Sequence, residues 1–334
     1  MGGGQKTISN LYVATAVRAV AEGDEASASK PKKYSSGVLF LRDAGVALLL
    51  VILVLVMMWA YTGLWPPLVV VESNSMMHGD DNLSSVGTID TGDLVLVRKV
   101  TSVDNVETYM DGVVSGHRTY GDYGDVVIYK PRGSDSQTPI IHRAIIYLEY
   151  DPANNCYRSE SLRDAPEEKW DATDPDDTWD HLTSTLRIYH VGWNDLTVIV
   201  DVGGMITSHT SGYITKGDHN TNTDQMYSGS APIEFDWIVG KARGEIPWFG
   251  LLKLWTTDSL GSTAPENSVR NLWISLVVIV VTPIFVDIGL TYREKRIIAR
   301  KKVQEAIDNA PPSKYRRKQV EGESPGEMTE EPPK

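Results

Sequence analysis

A run of 22 residues without a charged side chain, Ala44 to Trp65, constrains this chain more than any other feature. At about 1.5 Å rise per residue, a helix of that length crosses a hydrocarbon core about 30 Å thick. Trp59, Tyr61 and Trp65 crowd its far end, where amphipathic rings settle at a membrane interface. Pro66-Pro67 is expected to stop the helix. The run is too long for the apolar region of a secretory signal, and no small-x-small site follows closely, so it reads as an anchor. A weaker apolar run, Asn271–Leu290, contains Pro283 and Asp287. Asp287 lies near its end, where a carboxylate reaches the interface.

Flanking charge orients both runs. Lys30, Lys32, Lys33 and Arg42 precede the first, and Arg293, Lys295, Arg296, Arg300, Lys301 and Lys302 follow the second. Positive residues stay inside, so both ends are expected in the cytoplasm and residues 72–270 outside. That outer segment carries 15 Lys+Arg against 31 Asp+Glu, a net −16, while the rest of the chain is +4. The expected layout is a multi-pass cell-membrane protein with two spans. It has a cytoplasmic segment 1–43 with a short amphipathic stretch Ile8–Glu22, a span 44–65 and an extracytoplasmic domain 66–270. A second span, 271–292, and a basic, then disordered, tail 293–334 follow. The overall charge of −12 argues against a nucleic-acid partner. A single cysteine, Cys156, excludes an intrachain disulfide and a cysteine-based zinc site.

The outer segment reads as mainly β. Leu68–Val71, Leu94–Val97, Val126–Tyr129, Ile140–Tyr147, Leu196–Val202 and Ile238–Arg243 are short apolar or alternating runs set between turn signals. Gly92-Asp93, Gly124-Asp125 and Gly217-Asp218 are three such signals. Between Asp151 and Asp180 the pattern fails. Five aspartates (171, 174, 176, 177 and 180) crowd there without the central Gly and closing Glu of a calcium loop, so a solvated loop within an acidic insert, about 148–195, is expected.

Chemistry concentrates at three places. Directly after the first span comes Val69-Val70-Val71-Glu72-Ser73-Asn74-Ser75-Met76, and two serines two apart share a face if the strand continues. Serine needs an adjacent base to act as a nucleophile. The sequence Ile140-Ile141-His142-Arg143 supplies one, although a lone histidine in an apolar strand also reads as a satisfied core residue. The third place, Lys216-Gly217-Asp218-His219-Asn220 through Asp224, offers two acids six apart in a turn-rich loop.

In this order after a membrane span, these elements resemble a type I signal peptidase of the archaeal and endoplasmic-reticulum type. The resemblance rests on Ser73-Asn74-Ser75-Met76, Gly92-Asp93-Leu94-Val95, Gly124-Asp125-Val126-Val127, His142-Arg143, Lys216-Gly217-Asp218…Asp224 and the closing Gly240–Trp248. It covers roughly residues 45–130, 138–147 and 196–255. Departures are Asn74 where the family has Gly, Met77-His78-Gly79 after the Met, His219 within the Gly-Asp loop, and the acidic insert. The bacterial branch places a lysine base where His142 stands, so the resemblance favours a Ser/His/Asp site, with Lys130 and Lys216 as reserve bases.

The resemblance implies a signal-peptidase β fold for the catalytic domain and a serine endopeptidase that removes signal peptides by acyl transfer. Ser75 would be the nucleophile and His142 the base. Asp224 is favoured to orient the imidazole, with Asp218 supporting the loop or sharing the role. The Ser75 N–H and the Ser73 hydroxyl would form the oxyanion hole. Substrate would add as a strand along Val70, Val71, Met76, Ile140 and Ile141. Implied partners are signal-peptide-bearing preproteins, membrane lipid and the protein-export translocon, with no cofactor. Among the histidines, His78, His209 and His219 fit no family position and read as surface-loop residues. The rival readings are an inactive homologue and a membrane-anchored binding ectodomain. The ectodomain reading predicts that Ser75 and His142 lie far apart.

Overall fold

Helix α1, Ser36–Thr62, opens the part of the chain that the computed structural model describes: residues 36–80, 82–228, 231–257 and 264–309. The expected stretch Ile8–Glu22 and the tail from residue 310 lie outside these. The helix ends before the Pro66-Pro67 pair, at Gly63. Gly63 takes a left-handed φ of 68°, and its N–H bonds the Trp59 carbonyl at 2.8 Å. Glycine adopts this C-cap without a Cβ penalty, so the stop precedes the prolines. The last helix, Glu266–Asp308, is longer than the apolar run inside it and continues through the cations Arg293–Lys302, all good helix formers. Both helices are long and apolar enough to cross a membrane, with mean hydropathies of 2.6 and 2.3 in their apolar windows. Their large apolar side chains, such as Leu49 and Ile279, are exposed.

The chain divides into two units. One runs from Arg42 to Val277 and carries all the strands among the described residues; the other includes the described residues 36–41 and 278–309.

The strands of the first unit are β1 (Leu68–Val70), β2 (Leu94–Arg98), β3 (Arg118–Thr119), β4 (Asp122–Tyr123), β5 (Val126–Tyr129), β6 (Ile140–Asp151) and β7 (Cys156–Arg158). After these come β8 (Trp170–Ala172), β9 (Thr185–Val191), β10 (Leu196–Asp201), β11 (Gly212–Lys216) and β12 (Ile238–Ile246). The main sheet runs β1-β2-β12-β5-β6-β11, with β7 added to β6. All of its named pairings are antiparallel. The register shifts twice along β12 and once between β11 and β6. Bulges of this kind bend a strand and increase its twist. The consequence is visible in packing: Val71, Met76, Val95, Val97, Val126, Ile141 and Ala242, from five separate parts of the chain, share one core. That core carries both the segment leading to Ser75 and the strand bearing His142.

The expected solvated loop at 151–180 is wrong in part. This stretch holds β7 and β8, and β8 joins β9 and β10 in a three-stranded sheet. Tyr157, Leu162, Leu182, Leu186, Ile188, Val198 and Val200 pack in one core with Ile145, Ile146 and Leu148 of β6 and Ile214 of β11. β9 and β10 alternate buried and open residues, but no periodicity marks 151–180, where the buried apolar side chains are Cys156, Tyr157 and Leu162. The acids satisfy the backbone between them: the Asp177 carboxylate accepts from the N–H and hydroxyl of both Thr183 and Ser184 at 2.7–3.0 Å.

The three Gly-Asp turns share a design. Gly92 and Gly124 take positive φ (97° and 76°), while Gly217 lacks room for a Cβ. Each following aspartate turns inward, buried. Asp93 accepts from the N–H groups of Asp90 and Trp248, both at 2.9 Å. Asp125 meets Lys241 at 2.7 Å and His117 at 3.0 Å. Asp218 holds Arg143.

Candidate active site

Strand β1 does not continue through the serines. It ends at Val70, and residues 73–76 turn, with the Met77 N–H donating to the Asn74 carbonyl at 3.0 Å. The Ser73 and Ser75 hydroxyls still meet, 3.1 Å apart, because the turn rather than the pleat brings them together. The turn is pinned from both sides. Val71 and Met76 are buried in the shared core, and the Ser75 carbonyl accepts the His219 N–H at 2.9 Å.

His142 lies on β6 opposite Val127 of β5. Its Nε2 is 3.0 Å from Ser75 Oγ and its Nδ1 is 2.7 Å from Asp224 Oδ2. Asp224 follows β11, and its own N–H bonds back to the Thr215 carbonyl at 2.9 Å, which returns the loop toward β6. Asp224 Oδ2 also accepts from the Tyr129 hydroxyl at 2.8 Å and from Thr215 Oγ1 at 2.6 Å. His142 and Asp224 are both buried, while Ser75 is half-buried and Ser73 exposed. The result is a continuous chain of contacts from an accessible hydroxyl through an imidazole to a buried carboxylate. Such a chain can take up and return a proton.

Asp218 is engaged elsewhere. Its two oxygens accept from Arg143 Nε at 2.8 Å and Nη2 at 2.6 Å, and His78 Nε2 lies 2.9 Å from Oδ2. Burial alone would push this carboxyl up, but Arg143 and His78 outweigh it and hold the group far below the usual carboxylate range. Arg143 Nη1 meanwhile donates to the carbonyls of Thr119, Tyr123 and Gly124 at 3.0–3.1 Å. The pair therefore ties the loop before β5 to the loop after β11.

Neither reserve lysine reaches the serine through a hydrogen bond. Lys130 pairs with Asp135 at 2.5 Å. Lys216 is buried, and its Nζ donates to the carbonyls of Gly217 and Asp218 at 2.9 and 3.3 Å. Burial pushes that ammonium down from its usual range despite the Asp218 charge. Val71, Met76 and Ile141 are core residues, while Val70 and Ile140 are half-buried. Pairing of β6 with β11 begins at Arg143, so Ile140–His142 extends beyond it.

Two of the three histidines taken for surface-loop residues belong to the site's surroundings. His78 backs Asp218, and the His219 N–H holds Ser75. His209 packs instead against Tyr150, with ring centroids 5.1 Å apart. Tyr129 and Thr215 gave no sequence signal of their own, although Thr215 lies two residues before Gly217. Among the described residues, no group of three or more His, Cys, Asp or Glu side chains could hold a metal ion. No family model and no curated protein matches this chain.

Proposed function

We propose that this protein is a membrane-bound serine endopeptidase that removes signal peptides from exported preproteins. The observation that carries the reading is the chain Ser75 Oγ–His142–Asp224, at 3.0 and 2.7 Å, in a β domain joined to a membrane-length helix. A binding ectodomain has no need to bring these three groups together.

In this reading Ser75 Oγ attacks the scissile carbonyl while His142 Nε2 takes its proton. Asp224 holds the Nδ1–H tautomer and stabilises the imidazolium that forms. The tetrahedral oxyanion is received by the Ser75 N–H and the Ser73 hydroxyl, and one such donor contributes about 3–4 kcal/mol to lowering the barrier. His142 then protonates the leaving amine, and water repeats the sequence on the acyl-enzyme. The substrate lies extended along the outer edge of β1 and the free part of β6.

Location supports the substrate class. The Thr62 carbonyl at the end of α1 accepts the Lys99 N–H at 2.8 Å, and the Arg98 guanidinium lies 5.5 Å from the Tyr61 ring centre. These contacts fasten β2 to the helix end. Ser75 follows ten residues after Trp65, a reach of at most about 35 Å, so the nucleophile stays near the membrane surface. With both ends cytoplasmic, it faces the side on which a preprotein presents its cleavage site.

The test is processing of a preprotein by the full chain reconstituted in lipid, with the mature N-terminus identified by mass spectrometry. Wild type should release the mature protein, and Ser75→Ala and His142→Ala should each slow release by at least about 10⁴-fold. Undiminished cleavage by Ser75→Ala would reject the assignment.

A further inference from the structure

Trp193, at the tip of the β9–β10 hairpin, stacks with two histidine rings, one from each loop of the site. The His78 ring is 5.9 Å away with the planes at 28°, and the His219 ring is 6.3 Å away at 24°. Both separations are those of stacked rings. Each histidine is tied to the machinery. His78 Nε2 lies 2.9 Å from the Asp218 carboxylate that holds Arg143, the residue after His142. The His219 N–H donates to the Ser75 carbonyl at 2.9 Å.

The hairpin tip is built to present this one ring. His190, Gly192 and Asp195 all take positive φ (55°, 81° and 56°), a conformation that only glycine adopts freely. His190 Nδ1 is 2.7 Å from Asp195 Oδ1, and the His190 carbonyl accepts from Tyr109 Oη and Lys169 Nζ, each at 2.9 Å. At Gly192 it is the backbone that requires glycine, because φ is 81° whereas a Cβ would meet Asp122 Oδ2 of β4 only at an ordinary 3.6 Å. A tryptophan placed only to fill a core would be buried, yet Trp193 keeps 44% of its surface open while it stacks with both histidines.

We propose that Trp193 is a positioning residue: it clamps the Ser75–His78 segment to the Gly217–Asp224 loop from outside, so that the acidic insert completes the active site. The inference rests on the serine-protease reading above. The clamp sets the position of the Ser75 backbone relative to His142 and makes no contact with the reacting atoms. Its removal therefore lowers turnover and leaves substrate affinity in place.

The experiment uses the full chain in lipid, with a quenched peptide spanning a signal-peptide cleavage site as the probe and amide hydrogen exchange as a second readout. Trp193→Ala should lower kcat by about ten- to a hundredfold, as expected for a small displacement of a nucleophile, with KM within twofold. Exchange should accelerate in segments 75–79 and 217–220 while the insert strands β8–β10 stay protected. Trp193→Phe, which keeps a stacking ring, should recover most of the rate. A Trp193→Ala protein with wild-type kcat, a loss confined to KM, or a loss accompanied by exchange throughout the insert would overturn the clamp. If the wild-type chain cleaves neither peptide nor preprotein, the protease reading falls and the clamp with it. If wild type cleaves and Trp193→Ala cleaves as fast, the clamp alone falls.

Discussion

Arg143 and Asp218 are joined by two hydrogen bonds, 2.8 Å from Nε and 2.6 Å from Nη2, with both side chains buried. Their sequence neighbours divide differently: His142, one residue before Arg143, takes Asp224, six residues after Asp218. Two adjacent residues of one strand point to opposite faces, so the two acids of one loop are separated into different surroundings. One completes a proton path, and the other neutralises a guanidinium that would otherwise be buried unpaired.

The division predicts opposite phenotypes. Asp224→Asn should remove the carboxylate that orients His142 and slow cleavage by about 10⁴-fold with little change in melting temperature. Asp218→Asn leaves Arg143 without its counter-charge, and breaking a buried pair this way costs about 3–5 kcal/mol of stability. Cleavage by each variant and thermal unfolding in the same detergent would decide the matter. A stable but inactive Asp218→Asn, beside a nearly normal Asp224→Asn, would exchange the two roles.

Gly217 tests how closely the loop and Ser75 are fitted. A Cβ at this position would lie 2.5 Å from the Ser75 carbonyl oxygen and 2.9 Å from His142 Nε2. The first contact is with backbone and cannot be relieved by rotating a side chain. Gly217→Ala should therefore push Ser75 and His142 apart and lower kcat about a hundredfold, the scale of a 1 Å misplacement. Gly244→Ala, whose Cβ would meet only ordinary contacts of 3.8 Å at Leu96, is the control and should cleave normally. Equal rates for the two variants would show that the loop yields without disturbing the site.

Much of this arrangement was legible in the sequence because it is local. The apolar runs became helices and strands, with Val126–Tyr129 matching to the residue, and the Gly-Asp dipeptides marked real inward turns. Other features depend on contacts that no local pattern encodes. Trp193 sits in a hairpin 51 residues beyond His142, and its stacking partners come from positions 78 and 219. At the serines a continuing strand and a turn predict the same shared face, and the Met77 N–H bond to the Asn74 carbonyl sets the turn. Between 151 and 180 the acids mask the few buried apolar residues, Cys156, Tyr157 and Leu162, which follow no period.

Asp93 predicts an unusual pH dependence of stability. Burial, reinforced by the nearby Asp90 and Glu245 charges, pushes its carboxyl from 3.8 up to about 7, against the lowering effect of its two backbone hydrogen bonds. The folded state thus keeps a proton that the unfolded state releases above about pH 4. The stabilisation is complete below that point and is lost as pH rises toward 7, by a few kcal/mol in total. Asp218 acts in the opposite direction, because its lowered value removes stability as pH falls below the ordinary carboxylate range. Asp93→Asn should flatten the fall in unfolding free energy between pH 4 and 7, read from denaturant midpoints at constant ionic strength. An unchanged slope would mean that Asp93 is ionised across that interval.

The carboxylate of Asp224 needs more than His142 to hold its orientation. Its Oδ2 is the shared acceptor for His142 Nδ1, Tyr129 Oη and Thr215 Oγ1 at 2.7, 2.8 and 2.6 Å. Burial and the adjacent Asp224 charge push the Tyr129 phenol well above its usual range, so it remains a donor at any pH near neutrality. Tyr129→Phe and Thr215→Val each delete one donor while nearly preserving shape. A hydrogen bond to a charged group contributes about 1.5–3 kcal/mol, so each loss leaves the carboxylate freer to rotate away from the imidazole. Each variant should lower kcat by about tenfold with KM unchanged, since neither hydroxyl touches substrate. The double variant should lose less than the product of the two, because once Asp224 can turn, the second donor has little left to hold. Steady-state kinetics on one peptide substrate reads all three. Fully multiplicative losses, or a rise in KM alone, would show that the two hydroxyls act separately from the orientation of Asp224.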